Sequence, residues 1–182
     1  MKKKIVLLVM LLLLVVGGAL VGIYWDPIID WLPIDQSGWD VLDNGGQCYL
    51  DEDGDPITGW QVLDGNTYYF DLDSFAMKIR WITLEDGRYY LGDDGIRRTG
   101  WQTINGKNRY FSETGAMRIG WLEHDDESYY MLSNGVAATG LQEIGGELYI
   151  FGDDGVLITE AQYELDGHHY CIDSFGKAKP TK

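Results

Sequence analysis

The chain has 182 residues and a formal net charge of −15, because 29 acidic residues outnumber 14 Lys and Arg. A surface of this sign repels the phosphate backbone, which excludes nucleic acid as a partner, while it tolerates neutral sugars and favours cationic groups. The 24 glycines against 4 prolines indicate a chain that folds by turns and short strands.

The N-terminus predicts a membrane-directed segment. Lys2-Lys3-Lys4 precedes an uncharged apolar run over residues 5–25, and about 20 such residues suffice to span the hydrocarbon core as a helix. The lysines favour the cytoplasmic side, which places the rest of the chain outside. Two interpretations stay open, a retained anchor and a cleaved signal peptide. Residues 1–25 are therefore predicted to be a transmembrane anchor or signal peptide, with the membrane as a partner through residues 5–25.

The part of the chain beyond residue 25 is strongly acidic. The three N-terminal lysines leave 11 Lys and Arg against 29 Asp and Glu, a formal net charge of −18 for this part. Residues 26–37 contain Pro27 and Pro33 on either side of Trp31 and are predicted to be a spacer. Acidic turns also keep an aromatic-rich surface soluble, so charge alone does not identify a partner.

A tryptophan returns every 20 or 21 residues from Trp39 to Trp121. A fixed period predicts a repeat architecture whose units cannot bury a core alone. Seven units are predicted over residues 38–179, followed by a tail of residues 180–182. The last two units carry Leu141 and Ala161 in place of the tryptophan, which predicts that they form a cap. The predicted first residues of the units are Gly38, Gly59, Arg80, Gly100, Gly120, Gly140 and Glu160.

Each unit predicts a β-hairpin. A short strand after the tryptophan ends in a pair such as Asp86-Gly87 or Asn105-Gly106, which adopts the positive φ angles of tight turns. A second strand of β-favouring residues follows, such as Tyr68-Tyr69-Phe70, and a second turn closes on a glycine such as Gly115. Almost nothing after residue 36 has a helical apolar period. The pattern therefore predicts an all-β repeat of hairpins.

The motif Gly-Trp-Gln-Thr-Ile-Asn-Gly at residues 100–106, with Tyr110-Phe111 and Gly115-Ala116-Met117, resembles the cell-wall-binding repeats of Gram-positive bacteria and their phages. These are the choline-binding and glucan-binding repeats; the short oligopeptide repeats of clostridial toxins are similar. The resemblance covers residues 38–179 and implies ligand sites in grooves between consecutive hairpins. The predicted fold class is therefore an all-β hairpin solenoid of about seven 20–21-residue repeats, preceded by an N-terminal transmembrane or signal helix.

One departure from the family pattern bears on the ligand. Choline-binding repeats usually place a second tryptophan just before the tyrosine pair. A quaternary ammonium ion is held by several ring faces, each worth roughly 0.5–2 kcal/mol, so a lost ring weakens choline binding. A sugar needs only one ring face and nearby polar groups, and the sequence therefore favours a glycan over choline. Arg80, where other units have glycine, also predicts a departure in the groove beside Trp81. The residues in place of the second tryptophan are Thr67, Arg88, Asn108, Ser128 and Leu148.

The predicted ligand-binding residues are the tryptophans of units two to five, a tyrosine from each following strand, and two methionines that close the groove floor. The structural alternative is that stacked aromatics, each burying about 150–250 Å², simply form the core. No catalytic residue, metal site or cofactor is predicted, since no motif pairs a histidine with a nucleophile. The candidates are Trp60, Tyr69, Trp81, Tyr90, Trp101, Tyr110, Trp121, Tyr130, Met77 and Met117.

The predicted function is that of a non-catalytic cell-surface binding protein, not an enzyme, whose inter-repeat grooves bind a cell-wall polysaccharide, a glucan or another extracellular glycan. Two alternatives stay open. One is a choline or teichoic-acid binding module. The other is a membrane-anchored scaffold with purely structural aromatics that binds a surface protein. The predicted location is the cell surface, membrane-anchored with the repeats outside, or secreted if the N-terminal segment is cleaved.

Overall fold

The structure is a computed structural model that describes residues 14–16, 19–21 and 35–181. Most of residues 1–25, where a transmembrane or signal helix is predicted, lie outside the described residues. The described part of this segment consists of two strands, β1 (Leu14–Val16) and β2 (Ala19–Val21), which pair antiparallel. That helix and most of the predicted spacer therefore stay predictions. Within the described residues, no helix is long and apolar enough to cross a membrane.

Successive antiparallel hairpins make up the chain from residue 38 to residue 172, and residues 35–181 contain strands and turns without a helix. This confirms the predicted all-β repeat of hairpins. The paired strands are β3 (Gly38–Val41) and β4 (Gln47–Leu50), β5 (Gly59–Leu63) and β6 (Asn66–Phe70), β7 (Arg80–Leu84) and β8 (Gly87–Leu91), β9 (Gly100–Ile104) and β10 (Lys107–Phe111), β11 (Gly120–His124) and β12 (Glu127–Met131), β13 (Gly140–Ile144) and β14 (Glu147–Phe151), and β15 (Gln162–Leu165) and β16 (His168–Ile172).

Two-residue turns close the last six hairpins, and residues 42–46 close the first. Asn105-Gly106 has φ values of 53° and 69°. In the third hairpin the predicted turn, Asp86-Gly87, is wrong by one residue: Gly87 begins β8 and pairs with Leu84, so the turn is Glu85-Asp86. The cross-strand pair of Trp81 and Tyr90 accounts for the difference, because a one-residue slip would move the aromatic side chains to the opposite face of the hairpin.

The first residue of each unit has a positive φ. Gly100 has a φ of 66°, and a Cβ added to it would meet no atom within 4 Å, so this glycine serves backbone conformation rather than space. Arg80 and Glu160 adopt the same conformation, with φ values of 61° and 50°, at a cost of roughly 1–2 kcal/mol each. Arg80 therefore leaves the backbone of its unit unchanged.

One backbone hydrogen bond recurs between hairpins at the same place in successive units. Its acceptor is the carbonyl oxygen of the residue just before the aromatic residues of a second strand. Its donor is the backbone N–H of a residue that follows the second turn of the next unit. Pro56 stands at the donor place in the first unit, bridged to Leu50, and has no N–H to give. The bonds run from Met77 to Gln47 (2.7 Å), Arg97 to Thr67 (2.8 Å), Met117 to Arg88 (2.7 Å), Ala137 to Asn108 (2.9 Å) and Leu157 to Ser128 (2.8 Å).

In hairpins two to six, the core includes the last residue of the second strand. These side chains are almost completely buried, and each apolar side chain so buried contributes roughly 1.5–3 kcal/mol. No single hairpin is large enough to bury such a side chain alone. These residues are Phe70, Leu91, Phe111, Met131 and Phe151, none more than 2% exposed.

The C-terminal end is built differently. A further strand, β17 (Lys177–Pro180), lies between β14 and β16, so the last two hairpins form one five-stranded sheet. Ala178 pairs with Leu148 and is buried beside Ile150 and Tyr170. This sheet is consistent with the cap predicted for the last two units. The added strand was not predicted, and it crosses the predicted boundary between the repeats and the tail of residues 180–182.

Candidate ligand-binding grooves

The tryptophan of each of the first five hairpins lies directly opposite a tyrosine of the second strand. In the second hairpin, Trp60 and Tyr69 are register partners whose ring centroids lie 5.1 Å apart at 72°. The structure thus brings together the predicted aromatic pairs within each unit. The other pairs are Trp39 and Tyr49 (5.4 Å), Trp81 and Tyr90 (5.0 Å), Trp101 and Tyr110 (5.3 Å), and Trp121 and Tyr130 (5.2 Å).

A second tyrosine reaches four of the five tryptophans from the following hairpin. Successive side chains on a strand point to opposite faces, so Tyr89 points away from Tyr90 and meets Trp60 of the preceding hairpin at 5.0 Å. The sequence interpretation missed these residues, although the paired tyrosines were a usable signal. The contacts are Tyr68 with Trp39 (5.2 Å), Tyr89 with Trp60 (5.0 Å), Tyr129 with Trp101 (4.8 Å) and Tyr149 with Trp121 (5.0 Å).

We define a groove by the tryptophan of one hairpin, its own partner tyrosine, and the residue that reaches the tryptophan from the next hairpin. In four grooves this residue is a tyrosine, and in the third it is an arginine, Arg109. The completely buried Phe111 of the same strand also lies 5.9 Å from Trp81. Groove 1 comprises Trp39, Tyr49 and Tyr68; groove 2 Trp60, Tyr69 and Tyr89; groove 3 Trp81, Tyr90 and Arg109; groove 4 Trp101, Tyr110 and Tyr129; groove 5 Trp121, Tyr130 and Tyr149.

The rings of one groove differ in exposure. In groove 1, Trp39 keeps 46% of its surface exposed, whereas Tyr68 keeps only 9%. The tryptophans therefore offer ring surface to a ligand from water. The tyrosines that come from the next hairpin belong to the hydrophobic core, where they hold the groove in shape.

Carboxylates are hydrogen-bonded to two of the buried tyrosines. The Tyr129 hydroxyl donates to Glu127 Oε2 at 2.6 Å, and this bond, with burial, raises the pKa of Tyr129 to about 12. The Tyr89 hydroxyl donates to Asp86 Oδ2 at 2.9 Å; burial and then this bond raise the pKa of Tyr89. Negative charge at the rim of groove 4 favours a cationic ligand. In groove 2 the charge of Asp86 is opposed by the Arg97 guanidinium, whose Cζ lies 5.7 Å from the Trp60 ring centroid.

His124 joins groove 4 from the strand that follows it. Its ring centroid lies 5.0 Å from that of Tyr110 and 6.3 Å from that of Trp101. Its Nδ1 lies 3.5 Å from the Tyr110 hydroxyl, and its Nε2 lies 3.4 Å from an Asp125 carboxylate oxygen. Groove 4 therefore has a polar side that the sequence interpretation did not assign.

Groove 3 is covered by arginines. The Cζ atoms of Arg88 and Arg109 lie 4.4 and 5.4 Å from the Trp81 ring centroid, within cation–π range. The departure predicted beside Trp81 is present, but Arg80 does not cause it. Arg80 instead pairs with Asp93 at 3.0 Å, between two exposed side chains.

The two methionines predicted as groove floor pack against glycines of the next second turn. A Cβ added to Gly95 would overlap the Sδ of Met77, and one added to Gly135 would overlap the Sδ of Met117. These glycines therefore allow close approach between units. The role of Met77 and Met117 in ligand binding stays a prediction.

Among the described residues, no group of three or more His, Cys, Asp and Glu side chains is placed to hold a metal ion. Cys48 is buried and Cys171 is exposed, and both are free thiols.

Comparisons with known proteins match the repeats. The family model described as choline-binding repeat matches residues 37–80 and 98–136, and the one described as putative cell wall binding repeat matches residues 79–96. No curated protein sequence matches the chain.

Among solved structures, the chain is similar to choline binding protein F from Streptococcus pneumoniae, with 30% identity, a TM-score of 0.72, and coverage of 78% of this chain and 47% of that one. It is similar to CbpJ from Streptococcus pneumoniae TIGR4, with 32% identity, a TM-score of 0.71, and coverage of 79% and 48%. Choline binding protein F in the presence of a peptidoglycan analogue, a tetrasaccharide-pentapeptide, gives 26% identity, a TM-score of 0.72, and coverage of 79% and 52%. The chain thus spans about half the length of these proteins.

Proposed function

The chain belongs to the cell-wall-binding repeat family, and we propose that it is a non-catalytic protein that holds a cell-wall polymer in the grooves between its hairpins. Repeats of this kind imply a cell-surface or extracellular location. For grooves 1, 2, 4 and 5 we propose a quaternary ammonium group, such as choline, as the part of the polymer that is bound.

The observation that carries this proposal is the third ring supplied by the next hairpin. In groove 4, Tyr110 and Tyr129 lie 5.3 and 4.8 Å from Trp101, at 76° and 61° to its plane. Rings at steep angles to one another present faces to a cation from more than one side, and each contact is worth roughly 0.5–2 kcal/mol. The sequence favoured a glycan because the second tryptophan of the family is missing. The tyrosine from the next hairpin adds a third ring. Because Tyr129 is 8% exposed, it closes the back of the groove behind Trp101 and Tyr110.

Charge supports the same ligand. The part of the chain beyond residue 25 carries a formal net charge of −18. Glu127 and Asp86 also place carboxylates beside the buried phenols of grooves 4 and 2. A negative potential raises the local concentration of cations and disfavours bare anionic polymers. Several weak sites on one array bind a polymer of repeated cationic groups far more tightly than one site does.

The similar structures also support choline, since two of them are choline binding protein F and CbpJ from Streptococcus pneumoniae. Choline binding protein F has also been solved in complex with ipratropium, at 29% identity to this chain and a TM-score of 0.69. This chain spans about half the length of these proteins. We therefore carry over from them to this chain only the binding of a wall polymer by repeats.

A glycan is the second candidate ligand, and the exposed tryptophans at the two ends of the groove series favour it. Trp39 and Trp121 are 46% and 41% exposed, and a broad, wet indole face suits the apolar side of a pyranose. The structure of choline binding protein F in the presence of a peptidoglycan analogue supports this candidate as well.

The proposal extends to the shape of the array and its attachment. We propose that the hairpins wind as a solenoid, supported by the recurring hydrogen bonds between units, such as those from Met77 to Gln47 and from Leu157 to Ser128. We also propose that residues 5–25 anchor the chain with the repeats outside, supported by the apolar run after three lysines.

The test is retention of the full-length chain, kept in a non-ionic detergent, on purified Gram-positive cell walls. The washed complex is eluted separately with choline chloride, with a soluble glucan and with sodium chloride at the same ionic strength. We expect elution by choline alone. Elution by the glucan alone would replace choline with the second candidate. No retention on walls would contradict both and favour the scaffold alternative with structural aromatics.

The chain offers a matched control for this test. The sixth unit has Leu141 at the tryptophan position, so Trp121→Leu converts groove 5 to a side chain that the repeat already accepts. We expect this variant to elute at a lower choline concentration than the wild type. The control variant is Leu72→Ala, which changes a leucine that is 62% exposed and belongs to none of the five grooves. We expect it to elute at the same choline concentration as the wild type.

A further inference from the structure

Two guanidinium groups share one indole in groove 3. Arg88 and Arg109 lie with Cζ 4.4 and 5.4 Å from the centroid of Trp81. They come from different hairpins, Arg88 from β8 and Arg109 from β10. At the place of Arg88 the neighbouring units have Thr67 and Asn108, and at the place of Arg109 they have tyrosine. Two separate substitutions therefore meet in a single groove.

Neither guanidinium has a carboxylate counter-ion within residues 35–181. This is unexpected in so acidic a chain. Two arginines of the same unit are paired, Arg80 with Asp93 at 3.0 Å and Arg98 with Asp94 at 2.8 Å, whereas Arg97 also has no carboxylate partner in this range and donates to the Glu113 carbonyl oxygen at 3.3 Å. Burial, and then the charge of Arg88, lower the pKa of Arg109. Two close positive charges without a counter-ion repel each other, and an anion between them would remove that cost.

Most of the hydrogen-bond donors of this pair are unused. Arg109 Nη1 donates to the carbonyl oxygens of Ile104 at 3.0 Å and Lys107 at 3.4 Å. Arg109 Nε is buried and has no acceptor, and no acceptor within the described part of the chain receives a bond from the Arg88 side chain. A guanidinium presents its five N–H groups as a fork that fits the paired oxygens of phosphate or carboxylate.

We propose that groove 3 binds an oxyanion of the phosphate or carboxylate type through Arg88 and Arg109, beside Trp81. The two guanidiniums already cover the indole, so a quaternary ammonium ion would meet both a blocked ring and a positive potential. Groove 3 is thereby an anion site with two guanidiniums on one indole, whereas groove 2 has one, Arg97, at 5.7 Å from the Trp60 centroid. This proposal does not depend on the ligand of grooves 1, 2, 4 and 5, and either can fail without the other.

The test follows the indole N–H signal of Trp81 by NMR in the full-length, ¹⁵N-labelled chain in a non-ionic detergent, with the signal assigned by Trp81→Phe. Inorganic phosphate and sodium glucuronate are titrated separately at constant ionic strength. We expect a saturable shift of this signal. Saturation by phosphate alone would assign a phosphate-type ligand, by glucuronate alone a carboxylate-type ligand, and by both an unselective oxyanion site. No saturable shift with either would overturn the proposal.

Variants that copy neighbouring units keep the test specific. Arg88→Thr with Arg109→Tyr installs the residues of the second and third units, which the fold already accepts at those places. We expect the dissociation constant for the oxyanion to rise at least about tenfold, from the loss of charge-assisted hydrogen bonds. The charge-matched control, Arg118→Gln with Lys179→Gln, should bind as the wild type does. An equal rise in the dissociation constant for both double variants would show that net charge alone causes the effect, and it would overturn the proposal.

Discussion

Grooves 3 and 4 are neighbours on the same backbone and differ in the side chains that surround the tryptophan. The tryptophan and its partner tyrosine are arranged almost identically: the centroids of Trp81 and Tyr90 lie 5.0 Å apart at 63°, and those of Trp101 and Tyr110 lie 5.3 Å apart at 76°. The next hairpin adds Arg109 to groove 3 and Tyr129 to groove 4. The repeated backbone thus sets the positions of the side chains in a groove, and the identity of single residues sets which ligand the groove suits.

The largest expected difference between the two grooves is in stability. Tyr129 is 8% exposed and packs with Leu122 and Met131 in a core cluster, so Tyr129→Ala should lower the free energy of unfolding by about 3–5 kcal/mol. Arg109→Ala, at the corresponding place in groove 3, should cost about 1 kcal/mol or less, because it also removes repulsion with Arg88. Guanidinium unfolding followed by tryptophan fluorescence measures both. Similar losses in the two variants would mean that the grooves share one kind of core.

A smaller effect concerns the hydrogen bond between Tyr129 and Glu127. Tyr129→Phe should lower the free energy of unfolding by about 1.5–3 kcal/mol at neutral pH. The bond raises the pKa of the Tyr129 phenol to about 12, above the ordinary value near 10. A raised pKa means that the stabilisation is complete below about pH 10 and is lost as pH rises through about 12.

The measurement is the difference in unfolding free energy between wild type and Tyr129→Phe as a function of pH. We expect the difference to be constant up to about pH 10 and to shrink above it. Glu127→Gln keeps an acceptor without the charge and should reduce the alkaline dependence. A difference that does not change with pH would contradict the assignment of the raised pKa to this bond.

The smallest expected effect is a change in stability that comes from backbone conformation, not from the side chains of a groove. Arg80 begins the third unit with a φ of 61°, where the fourth unit has Gly100. Arg80→Gly should stabilise the fold by about 0.5–1 kcal/mol, because the relief of strain exceeds the loss of an exposed ion pair with Asp93. Gly100→Ala should destabilise it by a similar amount. Thermal unfolding compares the two, and a destabilised Arg80→Gly variant would show that the ion pair outweighs the strain.

The repeat itself could be predicted because every unit contains the same turn and strand signals. Trp60 and Tyr69 face each other as the spacing implied, and pairs such as Asn105-Gly106 adopt the turn angles that glycine and asparagine allow. The period, the hairpins and the pairing of tryptophan with tyrosine all follow from local sequence, since each unit is a complete turn-and-strand signal.

The content of the grooves depends on contacts between units, and the sequence pattern of one unit does not contain them. Arg88 and Arg109 lie on different hairpins, and only the stacking of hairpins brings both to Trp81. The strand at Lys177–Pro180 has the same origin: nothing in its sequence marks it as a strand, and it forms because β14 and β16 leave a gap that it pairs across.

The number of choline sites per chain tests the central claim most directly. Isothermal titration of the full-length chain with choline, checked by the shifts of individual indole N–H signals, counts the sites. The three-ring grooves predict four sites, with Trp39, Trp60, Trp101 and Trp121 shifting and Trp81 unchanged. Arg88→Thr with Arg109→Tyr should add the signal of Trp81. Choline binding at Trp81 in the wild type, or at none of the five tryptophans, would contradict the account.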